Sequence, residues 1–467
     1  MKSIHPQPPN GSSRGARLAV IVLLGCLFAV FIAILLPVQH PASAPPADSA
    51  TPTSGQMTIT HSGRGLNTRA WRTDSPSAPE RPAEEIVAEK VSQFARQREE
   101  LVAAMAKQFN VAVPPEVNRF FAAAQAGNWQ QTTNLFAALQ KLRLGDPSPP
   151  GLEKLWSAIT ETFGVAETAH DWPAQQLLDY GNAVLDSLRP GMVYVGGTDE
   201  GRFIPTLLAD TGAGPPHIVL TQNALADGSY LDYVKFRYGD RLNTLTSDES
   251  QNAFQTYLAD AQKRLLHDQQ FPDEPKQVRP GEDIQVTDGR VQVSGQIAVM
   301  DINERLLQTL LQKNPDLTFA LQESFPFPSL YAGATTLGPV TELRATDTAD
   351  ALTPERAAQS LDYWRRTTQT LLADADPASA ARDAYAKLIL GQAGLFLDRN
   401  LSGEAEQAYQ LATSLNPAYP EGVFKYVKLL TEQKRFDEAR QVVQTAATAA
   451  PDYQQFRDLI NNLKEMK

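Results

Sequence analysis

The longest apolar stretch of the chain is Leu18–Leu36, LAVIVLLGCLFAVFIAILL, which carries no charge and stops at Pro37. As a helix it rises about 28 Å, close to the hydrocarbon thickness of a bilayer. The pattern predicts one transmembrane helix over 18–36. Lys2, Arg14 and Arg17 precede it without an acidic residue, and Asp48 is the lone charge between Pro37 and Gly63. This asymmetry predicts residues 1–17 in the cytoplasm and the rest of the chain beyond the inner membrane. A cleavable signal would have a shorter apolar core, and its small-residue site Ala42-Ser43-Ala44 runs into Pro45. A lipoprotein site at Leu23–Cys26 conflicts with the apolar residues that continue past the cysteine. Residues 37–82, rich in Pro, Ser and Thr, bury too little to offset chain entropy and read as a disordered tether.

Helical periodicity dominates 83–188. Val87, Val91, Phe94, Leu101 and Met105 mark one face of an amphipathic helix, with Glu84, Glu85, Glu89, Arg96, Arg98, Glu99 and Glu100 among the remainder. Packing within its own domain is favoured over a dimeric coiled coil, because clean heptads are too few. Two helices joined at Gly127 are expected over Val117–Leu144, followed by helices near Leu152–Phe163 and Ala174–Leu188. Between 189 and 345 short apolar runs alternate with amphipathic stretches. The runs are Met192–Val195, His217–Leu220, Val291–Val293, Ile297–Met300, Leu317–Leu321 and Val340–Leu343; the stretches are Thr198–Leu208, Gln251–Leu266 and Asn303–Gln312. Strands alternating with helices predict an α/β unit with some parallel pairing. A helical connector is expected over 350–381.

A fixed beat appears at the carboxyl end. Ala405, Tyr409, Ala412 and Pro417 are repeated by Ala439, Val443, Ala446 and Pro451, each 34 residues later. Alanines let two helices approach closely, the larger residue fills the groove beside them, and proline ends the helix. With helices expected near Ala384–Leu397 and Val423–Gln433, and a final one over Asp452–Met466, residues 382–467 resemble tetratricopeptide repeats with a capping helix. That resemblance implies a groove for a protein or peptide. Gln392 and Lys428 depart from the usual pattern of first helices. Thr132, Phe136 and Leu139 carry the same offsets after Gly127, with Leu144 in place of proline, which leaves a diverged repeat and an ordinary helical pair equally open.

Composition narrows the chemistry. There are 53 acidic and 42 basic side chains, a formal charge of −11, and no basic face, so nucleic acid is not an expected partner. One cysteine precludes an internal disulfide, and the six histidines are scattered, so no cofactor and no cysteine- or histidine-based metal site is expected, while a carboxylate-only calcium or magnesium site stays open. The best ligand-binding candidate is Gly196-Gly197-Thr198-Asp199, after a strand and opening a helix, where free backbone N–H groups can hold an anion. The plainer reading makes Gly-Gly a turn and Thr198 or Asp199 a helix cap. Glu323, in Gln322-Glu323-Ser324 after Leu317–Leu321, is placed on the same strand edge and is a possible acid–base partner of Asp199. Asp273-Glu274 and Glu282-Asp283 read as loop charges. No nucleophile constellation is recognisable, so catalysis is not the expectation.

Leu188–Asp199, followed by Pro216–Leu220, resembles the soluble region of bacterial membrane glycosyltransferase-like proteins, over about Leu185–Leu343. That resemblance implies an accessory or recognition domain, since the multi-pass portion of such proteins is missing. The whole reads as a mixed α+β chain: anchor, helical segment, α/β unit and repeat hairpins. The expected role is an extracytoplasmic scaffold or assembly factor of a bacterial envelope. The alternative is an enzyme or carbohydrate-binding protein using the α/β unit.

Overall fold

The computed structural model describes residues 81–145, 148–214, 216–287, 290–323, 326–344, 352–373 and 380–465. The expected transmembrane helix and tether fall outside them. Among the described residues no helix is long and apolar enough to cross a membrane.

The amino-terminal layer holds α1 (Ala83–Phe109), α2 (Pro115–Gln125), α3 (Trp129–Leu144), α4 (Leu152–Asp171) and α5 (Ala174–Leu185). Pro115 starts α2 where its missing N–H is harmless, and Asn110 ends α1 in the left-handed region (φ 52°). Phe94, Val102, Met105, Phe120, Phe121, Leu139, Leu155 and Ile159 are buried between them. As expected, α1 packs within its own domain, against α2 and α4. Arg98, assigned from sequence to the polar remainder, is instead 4% exposed at the centre of an ion cluster.

The middle unit runs β1 (Val193–Gly196), α6 (Glu200–Thr211), β2 (Ile218–Thr221), α7 (Gly228–Tyr238), α8 (Ser247–Gln270), β3 (Asp283–Thr287), β4 (Arg290–Ser294), α9 (Gly295–Lys313), β5 (Phe319–Leu321), β6 (Thr335–Leu337) and β7 (Val340–Leu343). The main sheet has the order β2-β1-β5-β7-β6. β1 is parallel to both β2 and β5, while β7 is antiparallel to β5 and β6. The expected parallel pairing is present, with an antiparallel edge added. α6 covers the sheet and packs outward against α1, α4 and α5. Two readings need correction. Ile297–Met300 is the first part of α9, because a short apolar run cannot distinguish a strand from a buried helix turn. Glu282 is no loop charge: its side chain is fully buried, bonded by Tyr257, Arg264 and Arg279 beside the separate β3–β4 hairpin.

The carboxyl end is all helix: α10 (Pro354–Ala373), α11 (Ala380–Asp398), α12 (Ser402–Leu415), α13 (Pro420–Glu432), α14 (Phe436–Ala449) and α15 (Gln454–Glu465). Sequential helices from α11 to α15 pack in pairs. Ala405, Tyr409, Ala412, Ala439, Val443 and Ala446 are all buried at those contacts. The helices end before Pro417 and Pro451. The 34-residue beat extends to the backbone: Asn400 and Lys434 hold φ of 58° and 61°. Behind them Leu401 N–H donates to Phe396 O at 2.9 Å and Arg435 N–H to Leu430 O at 2.8 Å. The α2–α3 turn has this geometry too, with Gly127 at φ 65° and Asn128 N–H donating to Ala123 O at 3.0 Å. Thr132, Phe136 and Leu139 are buried at the offsets of Ala405, Tyr409 and Ala412.

Candidate functional site

The parallel pairing of β1 with β5 aligns Val195 with Leu321, so the segments that follow them emerge on one edge of the sheet. That edge carries Gly196, Gly197, Thr198 and Asp199 on one side and Gln322 and Glu323 on the other, as expected. The turn is filled by the protein's own groups. Gly197 N–H donates to Gln322 Oε1 at 3.3 Å, and Arg202 Nε donates to Gly197 O at 2.8 Å. A Cβ on Gly201 would lie 2.5 Å from Gln322 Cδ, so only glycine lets α6 start this close to the second strand. Asn223 donates to Thr198 Oγ1 at 3.3 Å. Asp199 occupies the N-cap position of α6, yet its side chain makes no capping bond. It turns to an ion pair with Lys387 of α11. Both simple readings of this turn therefore change: the helix start is crowded by side chains, and its carboxylate faces a lysine rather than the backbone.

α11 lies across the whole edge. Lys387 meets Asp199, and one turn later Gly391 faces Glu323, where an added Cβ would stand 3.4 Å from Oε2. Burial, joined by the Asp199 charge, pushes the Glu200 carboxyl up to about 7, with Lys387 offsetting part of the rise. Burial opposes the Lys387 charge, but Asp199 more than compensates and raises its pKa. The helix is welded down by Gln392, 1% exposed. Its Nε2 donates to the carbonyls of Gly338 at 2.9 Å and Val340 at 3.1 Å, and its Oε1 accepts from Trp364 Nε1 at 2.9 Å and from Ser360.

Beyond this weld a cavity of about 200 Å³ opens between the sheet edge and the repeat helices. Glu323 is at one end; Pro326 and Tyr331 come from the turn after β5, Leu390, Gly394 and Leu397 from α11, Tyr409 from α12, and Lys425, Lys428, Leu429 and Glu432 from α13. Lys428 and Glu432 are exposed and form its rim. Burial pushes the Glu323 carboxyl up to about 7, against the lowering effects of the Tyr331 hydroxyl and of Lys425. Glu323 Oε1 is shut off from solvent and has no hydrogen-bond partner. Asp199 and Glu323 thus share an edge and a covering helix, but only Glu323 lines this cavity. Among the described residues no cluster of His, Cys, Asp or Glu is arranged to hold a metal ion.

Sequence reasoning found Glu323 and missed Lys387, Tyr331 and Lys425, which carry no local signature. It flagged Gln392 and Lys428 as departures from the repeat pattern. The first joins the array to the sheet and the second borders the cavity.

Residues 401–463 match the tetratricopeptide repeat family model. No curated protein and no solved structure matches the chain. The likeness of the middle unit to membrane glycosyltransferase-like proteins gains no support from them. Helical repeats of the matched type commonly hold protein or peptide partners.

Proposed function

We propose that this chain is a membrane-anchored docking protein that holds a protein or peptide partner in the groove lined by α11 and α13, on the outer side of a bacterial inner membrane. It would serve there as a scaffold or assembly factor. Stacked helical pairs curve so that their first helices line a concave surface, the usual seat for a partner. The observation that carries the reading is the cavity on that surface, bordered by α11 and α13 and reaching back to Glu323. Ligand binding or catalysis at the sheet edge has less support, because Gln322, Arg202 and Lys387 occupy the Gly196–Asp199 turn.

Removing the array is a poor test, since α11 also covers the sheet. A double charge reversal at the rim, Lys428→Glu with Glu432→Lys, leaves that cover intact. Partners cross-linked and recovered from native membranes should be lost with this variant and retained with Gln444→Lys on the exposed side of α14. Equal capture by both variants would exclude the groove. The membrane arrangement is tested by placing a cysteine at exposed Ser414. A membrane-impermeant maleimide should label it in intact spheroplasts, and labelling only after lysis would reverse the orientation.

A further inference from the structure

We propose that the cavity at Glu323 is a specificity pocket that receives one lysine or arginine side chain of the docked partner, with Glu323 Oε1 accepting from its cationic head. The proposal deepens the docking reading and rests on it. Its first support is the orphaned oxygen. A buried acceptor without a donor costs about 1–3 kcal/mol, and this one lines a cavity rather than packed core. The Tyr331 hydroxyl and the Phe327 backbone N–H donate to this carboxylate, and neither reaches Oε1.

The second support is how the nearby charges are paired. Lys425 is held by Glu421 at 2.7 Å, and Lys428 lies 3.8 Å from Glu432. Both lysines of the wall have carboxylates of their own, so Glu323 is the acid left to be matched from outside. The third is shape. Leu390, Leu397, Leu429 and Pro326 give aliphatic walls, and Gly391 and Gly394 leave no side chain between α11 and the Glu323–Tyr331 pair. A long aliphatic stem ending in a cation suits that sequence of apolar wall and buried acid. An acidic or phosphorylated side chain would instead place two anions together in a low-dielectric site.

The probe is a random decapeptide library selected on the whole protein and, in parallel, on Glu323→Gln. The change keeps the size of the side chain, and thermal melts that match at pH 4 establish that the fold is retained. The expected result is enrichment of Lys or Arg at one position by tenfold or more on the natural protein, lost on the variant. Calorimetry of the best peptide at pH 7 in two buffers should also register proton release. Burial, joined by the Glu421 charge, keeps part of Glu323 protonated there against Tyr331, Lys425 and the Phe327 N–H, and the incoming cation ionises it. Peptides enriched with no basic position, or equally on both proteins, would overturn this pocket and leave docking standing. No enrichment on either protein would overturn both readings.

Discussion

Two buried glutamates set the amino-terminal helices apart from the junction of sheet and repeats. Glu161 on α4 takes Arg98 Nε at 2.7 Å, Arg202 Nη1 at 3.0 Å and the Tyr233 hydroxyl at 2.6 Å, with Arg237 at 3.6 Å. Asp210 closes the cluster by pairing with Arg98 and Arg237. Burial alone would raise the Glu161 pKa, but Arg98, Arg237 and Arg202 outweigh it and hold it far below the carboxylate range. Glu323 is half-buried as a residue, but its Oε1 is closed off and no guanidinium is among the charges acting on it, so burial prevails. One carboxylate is spent on joining α1, α4, α6 and α7; the other retains an unused oxygen beside a cavity. Unmet valence, rather than burial itself, separates a structural acid from a binding one.

The sharpest way to break the contrast is Glu161→Gln. It leaves buried Arg202 without a carboxylate and Arg98 and Arg237 with Asp210 alone, and should cost about 3–5 kcal/mol in urea unfolding. A loss under 1 kcal/mol would mean the cluster is not what joins those helices. Gln392→Leu comes next. It leaves the carbonyls of Gly338 and Val340 and the Trp364 N–H without their bonds, at about 1–3 kcal/mol for each buried group. Amide exchange should rise in α10 and α11 and stay unchanged in α1 and α4; a uniform rise would show the weld to be global.

The smallest effect is the pH dependence, and its sign differs between the two acids. Glu161 has a depressed pKa, so its contribution is complete above about 4.5 and fades as pH falls below that value. Glu323 is raised to about 7, so its burial weakens the fold progressively as pH climbs from 4.5 through 7. Glu323→Gln should therefore melt with the natural protein at pH 4 and above it at pH 8. A higher melting point at both pH values would place the gain elsewhere than in ionisation.

Sequence periodicity reported what local rules govern. Ala405, Ala412, Ala439 and Ala446 were legible as helix contacts because close packing at a fixed spacing admits few other residues. Val193–Val195 and Phe319–Leu321 were legible as strands because both faces are covered. The acid clusters were not. Arg98, Glu161, Arg202 and Arg237 are scattered over 140 positions, and each alone looks like a solvated helix residue. Glu282 hid in the same way among prolines and glycines. β6 and α7 went unnoticed because Thr335-Thr336-Leu337 and Gly228–Tyr238 lack a clean apolar rhythm. Of the two misfits to the repeat pattern, Gln392 marks where the array meets the sheet and Lys428 stands on the rim of the cavity.

The position of α11 has a mechanical corollary. One helix is both the cover of the sheet edge and the first rung of the array, so the array is a beam clamped at α11 and unsupported at α15. A load on a gripped partner would bend it most at the far rung and concentrate the bending moment at the clamp. Were the array to hold a partner, a pull on it would reach the middle unit through α11, where Gln392, Lys387 and Arg399 bond the neighbouring segments.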